Sequence, residues 1–94
     1  MEDTQFQRIC KALADPQRFA ILQRIARESE VACMHLVAEF PIRPATISHH
    51  MRELSKAGLV EIRKEGKCAH LRVVRGVLAQ YQRELRKRLS KQEL

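Results

Sequence analysis

The stretch from Arg43 to Lys67 gathers hydroxyls, imidazoles and cations at close spacing: Arg43, Thr46, Ser48, His49, Arg52 and Lys56, then Arg63, Lys64 and Lys67. Hydroxyls and imidazoles exchange hydrogen bonds with base edges, and guanidinium and ammonium groups hold phosphates, so the chemistry on offer is recognition of a polyanion. Two other sets of reactive side chains compete with that reading. Cys10, Cys33 and Cys68 are redox candidates; an odd number at irregular spacing makes a poor disulfide framework, so each is expected as a free thiol. Cys68, beside Lys67, has the basic setting that reactive thiols favour. Cys33 with His35 suggests a metal site, but two positions apart on a helix they diverge by about 200°. Cys68 and His70 share a strand face, yet two ligands fall short of the three or four that Zn²⁺ takes from protein. No metal and no cofactor is therefore expected. With no nucleophile elbow and no Gly-rich phosphate loop, the chain does not read as an enzyme.

The elements that must position these groups follow from periodicity and punctuation. Thr4-Gln5-Phe6-Gln7 matches a capping box and opens a first helix whose stripe is Phe6, Ile9, Cys10 and Leu13. Asp15-Pro16 starts a second helix, which ends near Glu28 and is expected to bury Phe19, Leu22, Ile25 and Ala26. A short third helix, roughly Ala32 to Phe40, turns Leu36 and Val37 inward and stops at Pro41. Pro44 opens the fourth. At 100° per residue, Ile47, Met51 and Leu54 fall on one side with His50 between them, so His50 reads as a hydrogen-bonded core or interface histidine rather than a DNA contact. Ala45, Ser48, His49, Arg52 and Lys56 fall on the other side. Gly58 sits where a helix end wants positive φ. Leu59 to Glu65 and Lys67 to Val74 alternate as strands joined at Gly66, with Arg63, Lys64 and Lys67 at the tip. From Val77 to the end, Leu78, Tyr81, Leu85 and Leu89 recur at helical spacing among basic residues.

Ninety-four residues make one small domain, read here as residues 1–94 with dimerisation helices at both ends. Its net charge of +7 is not evenly spread. Residues 1–40 carry five basic and six acidic side chains, residues 41–75 eight and three, so the polyanion surface is expected after Phe40. Apolar runs are too short to span a bilayer, and the polar start MEDTQFQRIC is unlike a signal peptide, so no membrane partner and a cytoplasmic location are expected. Helix, helix, short helix, Pro-punctuated turn, polar-faced helix and basic hairpin, with a last helix after them, is the order of a winged helix-turn-helix. The fold class is mainly α with a small β-hairpin, α-α-α-α-β-β-α. In such a fold the fourth helix enters the major groove of double-stranded DNA and the hairpin reaches the flanking backbone. The contacts fall to Arg43, Pro44, Thr46, Ser48, His49, Arg52, Lys56, Arg63, Lys64 and Lys67.

The run Arg43-Pro-Ala-Thr-Ile-Ser-His-His-Met-Arg-Glu-Leu-Ser-Lys-Ala-Gly-Leu-Val60 also resembles the recognition helix of the ArsR/SmtB family of bacterial repressors, in which Ser-Pro-Ala-Thr-Val-Ser-His-His-Leu and a following Ala-Gly-Leu-Val are common. Ala12-Leu13-Ala14-Asp15-Pro16-Gln17-Arg18 is similar to the family's Leu-Ala-Asp-Pro-Thr-Arg, and Arg63-Lys-Glu-Gly-Lys67 to its Arg-Arg-Glu-Gly wing. The resemblance covers about residues 6–90. It implies a homodimeric winged-helix repressor of a palindromic operator. Two departures stand out. Arg43 replaces a Ser that would cap the helix. The thiolate metal box Glu-Leu-Cys-x-Cys-Asp reads Glu30-Val-Ala-Cys-Met-His35, with Ala32 and Met34 in place of the ligand cysteines. The resemblance thus supports DNA binding and a subgroup without the usual metal box.

The homodimer is expected through Phe6, Ile9, Cys10, Leu13, Leu78, Tyr81 and Leu85, apolar stripes that so thin a domain cannot cover alone. Two rival functions share the fold: a winged-helix module for protein or RNA, and a nonspecific architectural DNA binder. A protein-binding face would be expected to show exposed aromatics, whereas Ser48, His49 and Arg52 favour base reading.

Overall fold

The computed structural model describes residues 1–91, in the order α1 (Asp3–Ala14), α2 (Pro16–Ala26), β1 (Val31–Ala32), α3 (Cys33–Glu39), α4 (Pro44–Lys56), β2 (Val60–Glu65), β3 (Cys68–Val73) and α5 (Arg75–Leu89). The winged-helix order is the expected one, with one addition. β1 is two residues long and pairs antiparallel with β3, Val31 against Leu71 and Ala32 against His70, giving a sheet of order β1-β3-β2. Two residues carry too little alternation to register as a strand in a sequence. They pair here because β3, already held by β2, offers its free edge.

The core draws on every layer. Ile9, Ile21, Ile25, Leu36, Ile47, Leu54, Leu59 and Leu71 are wholly buried, each contributing roughly 1.5–3 kcal/mol of apolar transfer. On α2 Leu22 and Ile25 are buried as expected, but Ile21 joins them in place of Phe19, which is 41% exposed, and Ala26 is half-buried. The helix is rotated so that Ile21 and Ile25, a turn apart, face the sheet and α4.

The start of α1 also differs from expectation. The helix begins one residue before Thr4, with Glu2 at the N-cap position and no side-chain cap, so the capping box does not form. Asp3 occupies the first turn instead, where a carboxylate suits the positive helix end. Arg88 of α5 reaches it at 3.0 Å, donates to the Met1 carbonyl at 3.3 Å and lies 4.0 Å from the Phe6 ring centroid. Phe6 and Tyr81 pack at 5.2 Å, and Cys10 Sγ is 3.4 Å from the Tyr81 hydroxyl. The α1 and α5 stripes therefore meet at Phe6, Cys10 and Tyr81. Phe6, Ile9 and Tyr81, expected at a dimer interface, are buried within their own chain. Cys10, Leu13, Leu78 and Leu85 remain half-buried, and Leu89 is exposed. The last helix stops at Leu89, where Ser90 Oγ donates to the Lys87 carbonyl; residues 92–94, also expected in it, lie outside the described residues. No helix among the described residues is long and apolar enough to cross a membrane.

Candidate nucleic-acid interface

The helix at the centre of the site, α4, is built by its ends. Pro44 takes the first helical position after an extended Arg43, which supplies no side-chain cap; the Arg43 carbonyl instead accepts from the amides of Thr46 and Ile47 at 2.9 and 3.1 Å. At the far end Gly58 adopts φ +83°, the Leu59 amide donates back to the Leu54 carbonyl at 3.0 Å, and the Gly58 amide donates to Ser55 at 2.9 Å. That is a Schellman closure, sealed by the contact of wholly buried Leu54 and Leu59. It turns the chain directly into β2. The hairpin closes with Gly66 at φ +61° as the first residue of a two-residue loop, between paired Glu65 and Cys68. A glycine there suits a tight hairpin turn.

Between these fixed ends α4 divides as its angles require. Ile47, His50, Met51 and Leu54 are buried. Ala45, His49, Arg52 and Lys56 are exposed, and Thr46 and Ser48 half-buried. An open cleft of about 550 Å³ separates this helix from the wing, with Ser48, Met51 and Arg52 on one wall, Ile62, Lys64 and Ala69 on the other, and Cys33 at its base. The donors of the helix and one cation of the wing thus border a single trough with an apolar floor.

The expected cations are not equivalent. Arg52, Lys64 and Lys67 are exposed and form no ion pair among the described residues, whereas Lys56 stands 3.8 Å from Glu53. Arg63 is exposed but paired: its guanidinium bridges Glu65 at 2.6 Å and Glu30 at 2.5 Å. Both carboxyls are held below their ordinary range by that hydrogen bond. Arg63, an expected phosphate contact, also ties the wing to the β1 entry. Glu30, which closes that tie, was passed over in the sequence because nothing local marks a pairing across 33 residues. Arg72 is likewise taken up by Glu61 at 2.9 Å.

The thiols sit apart from one another in character. Cys10 packs against Tyr81, whose hydroxyl is pushed up to about 12, chiefly by burial. Cys33 donates to the Met51 thioether at 3.5 Å and its thiol is pushed up by burial. Cys68 is exposed on the wing. Cys33 and Cys68 border one cavity of about 250 Å³. His70 turns to Glu30, 3.4 Å away.

The model of the helix-turn-helix domain family matches residues 13–63, which run from the end of α1 to the wing. The chain is 41% identical over 58 residues to an uncharacterized HTH-type transcriptional regulator of Methanocaldococcus jannaschii, 62% of this chain and 65% of that one. It is 40% identical over 58 residues to the arsenical resistance operon repressor of Staphylococcus xylosus, covering 62% and 55% of the two chains. It therefore spans under two thirds of either relative. Among solved structures it is similar to the homodimeric winged helix-turn-helix DNA-binding domain of a possible ArsR-family transcriptional regulator from Mycobacterium bovis, with 26% identity, a TM-score of 0.73 and coverage of 100% and 95%. The chain belongs to the helix-turn-helix domain family and shares the winged fold of the M. bovis domain.

Proposed function

We propose that this protein is a sequence-specific DNA-binding transcriptional regulator, a repressor that binds an inverted-repeat operator as a homodimer. The observation that carries the reading is the shared trough: Ser48 and Arg52 of α4 face Lys64 of the wing across one cleft, beside the exposed His49. A helix seated in the major groove brings Ser48 and His49 to base edges, while Arg43, Arg52, Lys56, Lys64 and Lys67 take phosphates, and Pro44 and Thr46 shape and supply the first turn. The homodimeric state of the M. bovis neighbour supports the two-fold assembly. The half-buried Leu13, Leu78 and Leu85, with exposed Phe19 and Leu89, supply the apolar surface for it. Two-fold symmetry then asks for half-sites about one helical turn apart. Three free thiols suit work in the reducing cytoplasm. Selection from a random duplex pool tests the reading: an inverted repeat is expected, and recovery without sequence preference would refute specific recognition.

A further inference from the structure

His50 is the one buried polar side chain among the described residues, 4% exposed, on the inward face of α4. Both its ring nitrogens are met by α2. Arg18 Nε donates to Nδ1 at 3.1 Å, and Nε2 lies 2.8 Å from Gln17 Oε1. A guanidinium only donates, so Nδ1 is the acceptor and the ring proton sits on Nε2, donated to the Gln17 carbonyl. The ring is neutral and oriented at both edges by a single turn of α2. That turn is itself fixed: Pro16 opens it, Asp15 Oδ1 accepts from the Arg18 amide at 3.0 Å, and Ile21 and Ile25 seat the helix in the core.

Apolar burial of Ile47, Met51 and Leu54 sets how deep α4 lies, but such contacts are non-directional and leave rotation about the axis loosely specified. The hydrogen bonds to His50 are directional. His49 is the next residue, and Ser48 and Arg52 are two away, so any turn of α4 that moves His50 sweeps the outward groups with it.

We propose that Gln17 and Arg18 are positioning residues for α4, holding it through neutral His50 at the rotation that presents Ser48, His49 and Arg52 to DNA. Proton uptake by His50 releases that hold and weakens binding in mild acid. The proposal rests on the DNA reading above and deepens it. A proton on Nδ1 removes the acceptor of Arg18 Nε and sets a second cation against the guanidinium in a buried place. Asp15, from the α2 entry, is the carboxylate that faces the pair, and it is committed to the Arg18 backbone amide; His49, on the same helix, adds a further cation when charged. No charged group of α1, α3 or β2, the other elements against α4, acts on the ring among the described residues. Burial and then Arg18 hold the ring below its ordinary range, so the hold is intact at pH 7.5.

The sign sets this effect apart from general electrostatics. A neutral ring in the DNA-competent form means that affinity is full above about pH 6.5 and falls below it, by at most about tenfold per pH unit for each ring, hence about a hundredfold for the two rings of a dimer. Added positive charge on the exposed face acts the other way, since it tightens polyanion binding. The experiment is a pH series from 7.5 to 5.0 at fixed ionic strength, with the full chain and the inverted-repeat duplex recovered by selection. It compares the wild type with His50→Gln, which keeps a donor and an acceptor but does not titrate, and with Gln17→Ala, while circular dichroism marks the range over which each stays folded. Wild-type affinity is expected to fall relative to His50→Gln once the rings protonate, by between about tenfold and a hundredfold per pH unit as one or both rings of the dimer take up a proton, and Gln17→Ala to move the decline to higher pH. Ring ¹⁵N shifts of the free wild type are expected to show the Nε2–H tautomer at pH 7.5. Parallel pH profiles for wild type and His50→Gln, or an Nδ1–H tautomer, would overturn the proposal. No duplex bound at pH 7.5 would instead refute the DNA reading, with the ring tautomer still deciding the hold.

Discussion

Removal of both free wing lysines, Lys64→Ala with Lys67→Ala, isolates what the wing contributes to DNA affinity. Both ammonium groups are exposed and unpaired among the described residues, whereas Arg63, just before them in sequence, is paired with two carboxylates. Each phosphate contact adds about 0.9 to the slope of log affinity against log salt. In a dimer the two lysines make four such contacts, so the double variant should flatten the slope by about 3.6. Between about 50 and 200 mM salt the wild type then loses on the order of 150-fold more affinity than the variant. Fluorescence anisotropy of a labelled duplex across a salt series measures both slopes. Arg63→Ala should leave the slope unchanged, because its guanidinium was not on a phosphate. Sequence preference should survive in the double variant, since phosphate contacts carry no base information. An unchanged slope in the lysine variant, or a flattening with Arg63→Ala as large as with either lysine, would refute this division of the wing.

On the helix, Ser48→Ala and His49→Ala should relax base preference at one or two positions of each half-site by about 1–3 kcal/mol per lost contact, measured by competition among single-base variants of the site. Gly58→Ala places a Cβ at φ +83° and within 2.9 Å of Gln5 Nε2, which now donates to the Ala57 carbonyl. A cost of about 1–2 kcal/mol follows, a fall in Tm on the order of 4–15 °C, and a Tm at or above the wild type would contradict the Schellman closure. Leu85→Asp sets a charge on the half-buried face of α5 and should yield monomers in sedimentation that bind the operator weakly; a wild-type monomer at micromolar concentration would remove the dimer from the proposal. Zn²⁺, Cd²⁺ or arsenite at one equivalent per subunit should not release DNA, as Ala32 and Met34 offer no thiolate and the Cys33 thiol is engaged with Met51; metal-triggered release in an electrophoretic shift assay would show an unrecognised site.

Local chemistry made much of this protein legible from residues alone. Asp15-Pro16, Pro44 and Gly58 act on the backbone within a turn of themselves, so the helix boundaries they set appear in the fold. The 3.6-residue period of α4 likewise placed Ile47, Met51 and Leu54 inside, with His50 among them, and His49 and Arg52 toward solvent, with Ser48 half-buried at the edge. What escaped were the choices made between distant segments. Whether α2 buries Phe19 or Ile21 depends on what it packs against, and both stripes are helical. The two residues of β1 become a strand only because β3 presents an edge to them. Phe6, Ile9 and Tyr81 read as a surface for a second copy, yet one chain fills it by laying α5 against α1. Arg63 takes an ion-pair partner, Glu30, from 33 residues away, and His50 acquires its partners from Gln17 and Arg18 across a similar span. Periodicity and capping are short-range properties that a sequence displays directly. The pairing of charges, the partner of a stripe and the tautomer of a ring are settled by which surfaces the tertiary fold brings into contact.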